Sequence, residues 1–295
     1  MAGGASAIMA RRYDRTDLSH LGLSGMSNAP FVVLSKLTPP ITDGRVVQRS
    51  LVDALLARSG SSRLVLITAP AGYGKTTAAA AHFEGARRDG GIVGWVSLDA
   101  EDRDPSHFLA HLIAALQTAH TGIGIAAQSL LGVGSAVPVR GVLLTLFNEI
   151  ATVNESVTIV LDDFYRCASE EVVTLVDGLL EEAPQNLHVI LTSRTAPGLR
   201  MLGRLRVQSL LTEIRVDHLR LEPAEANAFC NEMQGLGLSR EQVMALHERT
   251  DGWIAGLQLA VLSLRDRNDR DRFIAEFAGD NRDIVEYLAG DVVAN

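Results

Sequence analysis

The stretch Ala69-Pro70-Ala71-Gly72-Tyr73-Gly74-Lys75-Thr76-Thr77 sets a lysine and two hydroxyls behind a glycine-bearing bend. This is the spacing of a phosphate-binding loop, with Ala69 standing where glycine is usual. Glycines at 72 and 74 let successive backbone N–H groups turn inward around phosphate oxygens. Lys75 supplies a point charge to the β- and γ-phosphates, and Thr76 offers a hydroxyl to Mg²⁺. A helix beginning at this point adds the partial positive charge of its N-terminus. Ala71, Gly72, Tyr73, Gly74, Lys75, Thr76 and Thr77 are therefore the expected phosphate-holding stretch, with ATP or ADP and Mg²⁺ as ligands. The plainer alternative is a tight turn with a surface lysine. The apolar strand before the loop and the Ala-rich helix after it speak against that.

Such a loop needs a magnesium partner at the tip of a neighbouring strand. The run "VTIVLDDF" offers Asp162 and Asp163 directly after five strand-like residues. Asp162 is expected to hold Mg²⁺ together with Thr76, and Asp163 to polarise the attacking water. A further strand, "HVILTSR", ends in Thr192, Ser193 and Arg194. In P-loop proteins with an inserted sensor strand, that strand lies between those bearing the loop and the acids. Arg194 would then point at the γ-phosphate and distinguish ATP from ADP.

The elements that must position these residues alternate. Strands are expected at 64–68, 92–98, 157–161, 187–192 and 210–216. Helices are expected over 76–88, from the Asp104-Pro105 cap onward, over 142–151 and over 169–183. Alternation of this kind predicts an α/β fold with a five-stranded parallel sheet, a P-loop NTPase of the additional-strand, sensor-bearing class. Residues 121–138 are glycine-rich and without clear period, which reads as a loop. After residue 217 only helical patterns remain. One begins at Pro223, one at a Ser239/Gln242 capping box, and one is "GWIAGLQLAVLSL". The expected organisation is a weakly ordered leader at 1–30, a nucleotide-binding domain at 31–217 and an all-helical subdomain at 218–295.

Composition narrows the function classes. The chain has 295 residues, 47% hydrophobic and 21% charged, with a net charge of −8. That argues against a large nucleic-acid surface. Its two cysteines, Cys167 and Cys230, are far apart, form no metal-like spacing and suit a reducing cytoplasm. No run reaches the length of a membrane span. The acids Asp99, Glu101, Asp102 and Asp104 lack the glycine and distal glutamate of a calcium loop and read as the approach to a helix capped by Asp104. Trp253, between Gly252 and Gly256, reads as a packing residue more than a ligand-stacking one.

Taken in order, the segments "SKLTPP", "RVVQRSLVDAL", "APAGYGKTT", "WVSLDAEDRDPSHFLAHLIAALQ", "IVLDDF", "LTSR", "LRLEPAEANAF" and "TDGWIAGLQLAVLSLR" resemble the nucleotide-binding module of the large MalT-like LuxR-family transcription activators. These belong to the STAND class of AAA+-related ATPases. The resemblance covers the chain from Leu34 onward. It implies that Arg45, Val46, Val47 and Arg49 line the adenine end. It also implies that Gly72 through Thr77 hold the phosphates, that Asp162 serves Mg²⁺ and Asp163 the water, and that Arg194 is the sensor. Members of that family continue into a winged helix, helical sensor repeats and a LuxR-type helix-turn-helix. None is recognisable here, so this chain is expected to bind nucleotide and not operator DNA.

The resemblance implies a cytoplasmic regulatory switch that hydrolyses ATP slowly. Its nucleotide state would govern self-association, and an inducer would act through the further domains. Two other classes remain open at this point. One is a metabolic P-loop enzyme such as a small-molecule kinase, which would need an acceptor pocket. The other is a scaffold that binds nucleotide without turnover.

Overall fold

Five short apolar runs pair side by side in one sheet. The computed structural model describes residues 30–40, 46–133, 137–265 and 267–277. The expected leader, Arg45 and the end of the chain lie outside these residues. The strands are β1 (Leu64–Thr68), β2 (Ile92–Ser97), β3 (Val157–Asp162), β4 (Leu187–Ser193) and β5 (Leu211–Arg215). All are parallel, in the order β2-β3-β4-β1-β5. β4 thus lies between the strand that feeds the loop and the strand that ends in the acids. The register sets Thr68 beside Ser193 and Ser97 beside Asp162. The tips of four strands consequently share one rim, where ligands bind in open parallel sheets.

Helices cover both faces, which is why β1 to β4 are mostly apolar rather than alternating, while the edge strand β5 carries Thr212, Glu213 and Arg215. On one face lie α1 (Ser50–Arg58) and α2 (Lys75–Arg88), packed through Val52, Leu56, Ala79 and Phe83 onto Val65, Ile67 and Trp95. On the other lie α3 (Pro105–Ala119), α5 (Val139–Ala151) and α6 (Glu170–Glu182), packed onto Leu64, Leu66, Ile159 and Leu161. Asp104 caps α3 as expected, accepting from the amides of Ser106 and His107 at 2.8 and 3.2 Å.

The glycine-rich stretch expected to be a loop contains a helix, α4 (Ile125–Gly132), which buries Ala127 and Leu131. Its first amides are held from outside. The Glu149 carboxylate on α5 accepts from Ala126 at 2.8 Å and from Ala127 at 3.4 Å. An acidic side chain at a helix N-terminus satisfies orphan donors, but this one is distant in sequence and no local pattern reveals it.

α7 (Leu202–Val207) leads into β5, and past β5 the chain runs through α8 (Val216–Leu219), α9 (Pro223–Asn227), α10 (Arg240–Thr250), α11 (Ile254–Leu264) and α12 (Arg270–Glu276). A π-helical turn, Ala228–Met233, extends α9. The Ser239/Gln242 capping box at α10 is present in both directions, at 2.9 and 3.2 Å. The helices after Leu219 form their own core around Phe229, Leu246, Leu257 and Val261, which Val47 joins from the other end of the chain.

Lys36 anchors the first described segment. Its ammonium lies 2.7 Å from Asp99 and 2.9 Å from the fully buried Asp102, whose other oxygen lies 2.7 Å from His111 Nδ1. Of the acids in this helix approach, Asp99 and the buried Asp102 thus also hold Lys36. Asp104 alone acts as the cap foreseen.

Candidate functional site

Between β1 and α2 the backbone makes the bend predicted from Gly72 and Gly74. Both are left-handed, at φ 77° and 76°, a conformation open to glycine and strained for most other residues. Lys75 is buried at the first turn of α2 and donates to the Pro70 carbonyl at 2.9 Å. Ala69 is buried and extends the sheet, its amide donating to Ser193 O at 3.3 Å.

Three consecutive carbonyls of the bend are gripped from outside. Ala71 O accepts from the Trp253 indole at 3.1 Å, Gly72 O from the Ala255 amide at 3.1 Å, and Tyr73 O from Arg49 at 3.4 Å. In a planar trans peptide the C=O and the following N–H point in opposite directions. Holding these carbonyls outward therefore turns the amides of Gly72, Tyr73 and Gly74 the other way, as a nest of donors for an anion. The contact is tight. A Cβ added at Gly72 would lie 2.6 Å from Ala255 Cβ and 2.7 Å from Trp253 Nε1. Trp253 also meets Tyr73, with ring centroids 6.4 Å apart.

The acid pair sits across from the loop. Asp162 is 4% exposed, and its Oδ1 accepts from Thr192 at 2.6 Å and from Thr76 at 3.0 Å. Burial pushes its carboxyl up to about 6. The Thr192 bond opposes this, the Asp163 charge adds to it, and the Thr76 bond and Lys75 charge oppose it. Asp163 has a left-handed backbone, φ 58°, and its amide donates to Thr192 Oγ1 at 2.9 Å. Thr192 thus ties both acids to the tip of β4. A buried carboxylate disfavoured as an anion and sharing a hydroxyl with the loop helix fits a divalent cation, which would supply the missing positive charge.

Arg194 follows β4, half-buried, with its guanidinium carbon 4.8 Å from the centroid of the Tyr165 ring. Of the residues expected at the adenine end, Val46, Val47 and Arg49 line a cavity of about 660 Å³, together with Gly74 and Thr77. Arg49 is also committed to the loop and donates to Leu219 O as well as Tyr73 O. The far wall comes from the helical part: Phe229, Met233, Gln234, Ile254 and Arg265. The volume lies within the range of small-molecule pockets.

The sequence reading did not identify Thr192, Trp253, Ala255, Tyr165 or the helical wall of the cavity as parts of this site. The threonine sat in plain view beside Ser193 and Arg194. The π-turn that presents Phe229 and Met233 has no local signature, although such turns concentrate at functional sites.

Sheet order, loop and acid pair together define a P-loop NTPase with an inserted sensor strand and a helical lobe. Solved structures share this fold. A STAND protein with a tetratricopeptide repeat sensor from Pyrococcus horikoshii aligns over 81% of this chain and 33% of its own, at TM-score 0.56 and 22% identity. A Walker-type ATPase of Pyrococcus abyssi aligns over 89% and 78%, at TM-score 0.54 and 14% identity. The chain belongs to the family described as nephrocystin 3, N-terminal, which matches residues 42–194, and its sequence is similar to the corresponding part of MalT regulators. The HTH-type transcriptional regulator MalT of Serratia proteamaculans is 31% identical over 264 residues, 89% of this chain and 29% of the regulator. The serine/threonine-protein kinase PknK of Mycobacterium tuberculosis is 34% identical over 259 residues, 88% of this chain and 23% of the kinase. The chain thus spans about a quarter of the length of these curated relatives. Among the described residues no helix is long and apolar enough to cross a membrane.

Proposed function

We propose that this chain is the ATP-binding, slowly hydrolysing switch module of a cytoplasmic MalT-like transcription regulator. The observation that carries this reading is the grip of the helical lobe on the loop: Trp253 and Ala255 hold two successive carbonyls of the phosphate bend, and Arg49 of the α/β part holds the third. A metabolic enzyme needs its loop rigid. A switch needs its loop joined to a part that can move, and here the joint is direct.

In this reading the amides of Gly72 through Thr76 and the Lys75 ammonium receive the phosphates, and the nucleoside lies in the cavity between Val46, Val47 and the helical wall. Thr76 and Asp162 would hold Mg²⁺, which supplies positive charge against the β- and γ-phosphates. Asp163 orients and polarises the attacking water, and Arg194 meets the terminal phosphate. The α/β part to residue 217 and the helical part from 218 act as two bodies whose arrangement depends on that phosphate. The ATP-bound form self-associates. An inducer acts through other domains of the regulator, and this module does not itself contact DNA.

Arg194 does not run the switch alone. Moving a two-state equilibrium from 1:99 to 99:1 takes about 5.5 kcal/mol of differential affinity, whereas a hydrogen bond to a charged group contributes about 1.5–3 kcal/mol. Further γ-phosphate contacts, an inducer or a second copy must share the work.

The experiment is a thermal shift with Mg²⁺·ATP and ADP, followed by single-turnover hydrolysis. A ligand at a thousand times its dissociation constant stabilises by about 4 kcal/mol. Lys75→Ala should remove the shift, and Asp163→Asn should keep binding and stop turnover. No shift at millimolar nucleotide refutes the reading. Phosphorylation of an added acceptor would turn it toward a kinase, and binding without turnover toward a scaffold.

A further inference from the structure

Arg194 sits one residue beyond β4, and β4 lies between the strand that feeds the loop and the strand that ends in the acids. Its position is therefore fixed by the sheet, but its guanidinium is carried on a long, rotamer-rich stem. The Tyr165 ring, 4.8 Å from the guanidinium carbon, supplies a direction.

That ring stands on a rigid turn. Tyr165 lies in the 3₁₀ turn Phe164–Arg166, entered through the left-handed backbone of Asp163. Phe164 is wholly buried in the core. Its carbonyl accepts from the Cys167 amide at 3.1 Å and from the Cys167 thiol at 3.4 Å. The Arg166 carbonyl accepts from Arg103 Nε at 3.2 Å, and the Arg103 carbonyl accepts from Ser169 at 2.9 Å. The turn is thus pinned on both sides of Tyr165, and the ring is a fixed platform beside the rim.

We propose that Tyr165 is a positioning residue whose ring face holds the Arg194 guanidinium toward the terminal phosphate of a nucleoside triphosphate, so that the pair sets the preference for triphosphate over diphosphate. This rests on the nucleotide reading of the pocket. The interaction is with the face of the ring, whose quadrupole attracts the cation. The phenol hydroxyl is not required, and an aliphatic side chain of similar bulk does not substitute. A diphosphate does not reach the arginine, so its affinity is independent of the stack.

The test is calorimetric binding of Mg²⁺·β,γ-methylene-ATP and Mg²⁺·ADP to the wild type, Tyr165→Phe, Tyr165→Leu, Arg194→Ala and the Leu/Ala double variant, each checked for folding by thermal unfolding. Tyr165→Phe should keep both affinities within about twofold. Tyr165→Leu should weaken the triphosphate about tenfold and leave ADP unchanged. Arg194→Ala should weaken the triphosphate at least as much, with the double variant no worse than Arg194→Ala alone. If Tyr165→Leu does not fold, Tyr165→Met takes its place under the same criteria. Equal losses for both nucleotides, a Phe variant as impaired as the Leu variant, an additive double variant, or no loss in Arg194→Ala would each overturn the positioning role. A wild type that binds neither nucleotide would instead overturn the nucleotide reading itself.

Discussion

Asp162→Asn should make the nucleotide-free protein more stable at neutral pH, although it removes a residue assigned to the magnesium site. The folded protein holds the Asp162 carboxyl up at about 6, against an ordinary 3.8. That difference is about 2 units, and each unit is 1.36 kcal/mol. The sign follows from linkage. Native Asp162 binds its proton more tightly than the unfolded chain does. Raising the pH from about 4 to about 6 therefore strips the unfolded state first and favours unfolding. Above pH 6 the burden is constant at about 3 kcal/mol. Asparagine carries no charge, and its carbonyl can still accept from Thr192 and Thr76, which both donate to Oδ1. A gain of about 1–3 kcal/mol at pH 7.5 is expected, or about 2–5 °C for a chain of this size. Urea unfolding of both proteins from pH 4 to 8 in chelator reads it directly. The variant should lack the fall between pH 4 and 6 that the wild type shows. Adding Mg²⁺ and nucleotide should reverse the ranking, because only the wild type gains from the cation. A variant less stable than the wild type at pH 7.5 without cation, or one with the same pH slope, would refute the reasoning.

Gly72→Ala should cost about 1–3 kcal/mol of stability through its left-handed φ and weaken both nucleotides, since its Cβ would meet Ala255 and Trp253 at 2.6 and 2.7 Å; an unchanged melting temperature and dissociation constant would contradict this. Trp253→Phe keeps a ring but removes the donor to Ala71 O. It should weaken ATP and ADP alike by about fivefold, as expected for one hydrogen bond of about 1 kcal/mol, and a loss confined to ATP in calorimetry would speak against it. Asp102 behaves in the opposite sense to Asp162. Burial raises its carboxyl, but the bonds from His111, the Asp99 amide and Lys36 outweigh it and hold it at about 2. Its contribution of about 2 kcal/mol is present above pH 4 and lost as the pH falls through 2. Asp102→Asn should remove that acid-side loss from the stability profile and lower stability at pH 7 by about 3 kcal/mol, both measurable by urea unfolding.

What the sequence disclosed follows from locality. β1, the bend and α2 are legible from Leu64 to Arg88 because a strand, two glycines and a helix start within one short window. The sheet order was reachable because Asp162 and Arg194 each end an apolar run, and a strand-tip acid needs a neighbouring strand to matter. α4 was not legible, since the groups that satisfy its first amides belong to Glu149 on another helix. The Lys36 lock was not legible either. Lys36 and Asp102 lie in two different motif segments, and nothing in either segment says that they meet. The resemblance to MalT-like modules supplied the motifs in order, and the fold explains two of them by joining them: "SKL" closes on "LDAED", and "DGWIAG" closes on "APAGYG".

The second of these junctions bears on how a phosphate signal leaves the loop. Each gripped carbonyl and the amide that follows it belong to one rigid peptide plane. The plane joining Ala71 to Gly72 is held by Trp253, the next by Ala255 and the third by Arg49. A phosphate drawing on the amides and a helical lobe drawing on the carbonyls would therefore act together on the first two planes, while Arg49 of the α/β part holds the third. Under the proposed function, reciprocity means that binding free energy the phosphates gain from a preset nest would be lost if the lobe let go, and a nucleotide that sets the nest would hold the lobe. Trp253 and Ala255 begin α11, and Arg49 precedes α1 and reaches the carbonyl at the end of α8. A displacement of one lobe against the other would thereby be tied to backbone torsions at Gly72 and Gly74. Those two positions can absorb such torsions, since glycine adopts the positive φ there without a side chain to oppose it.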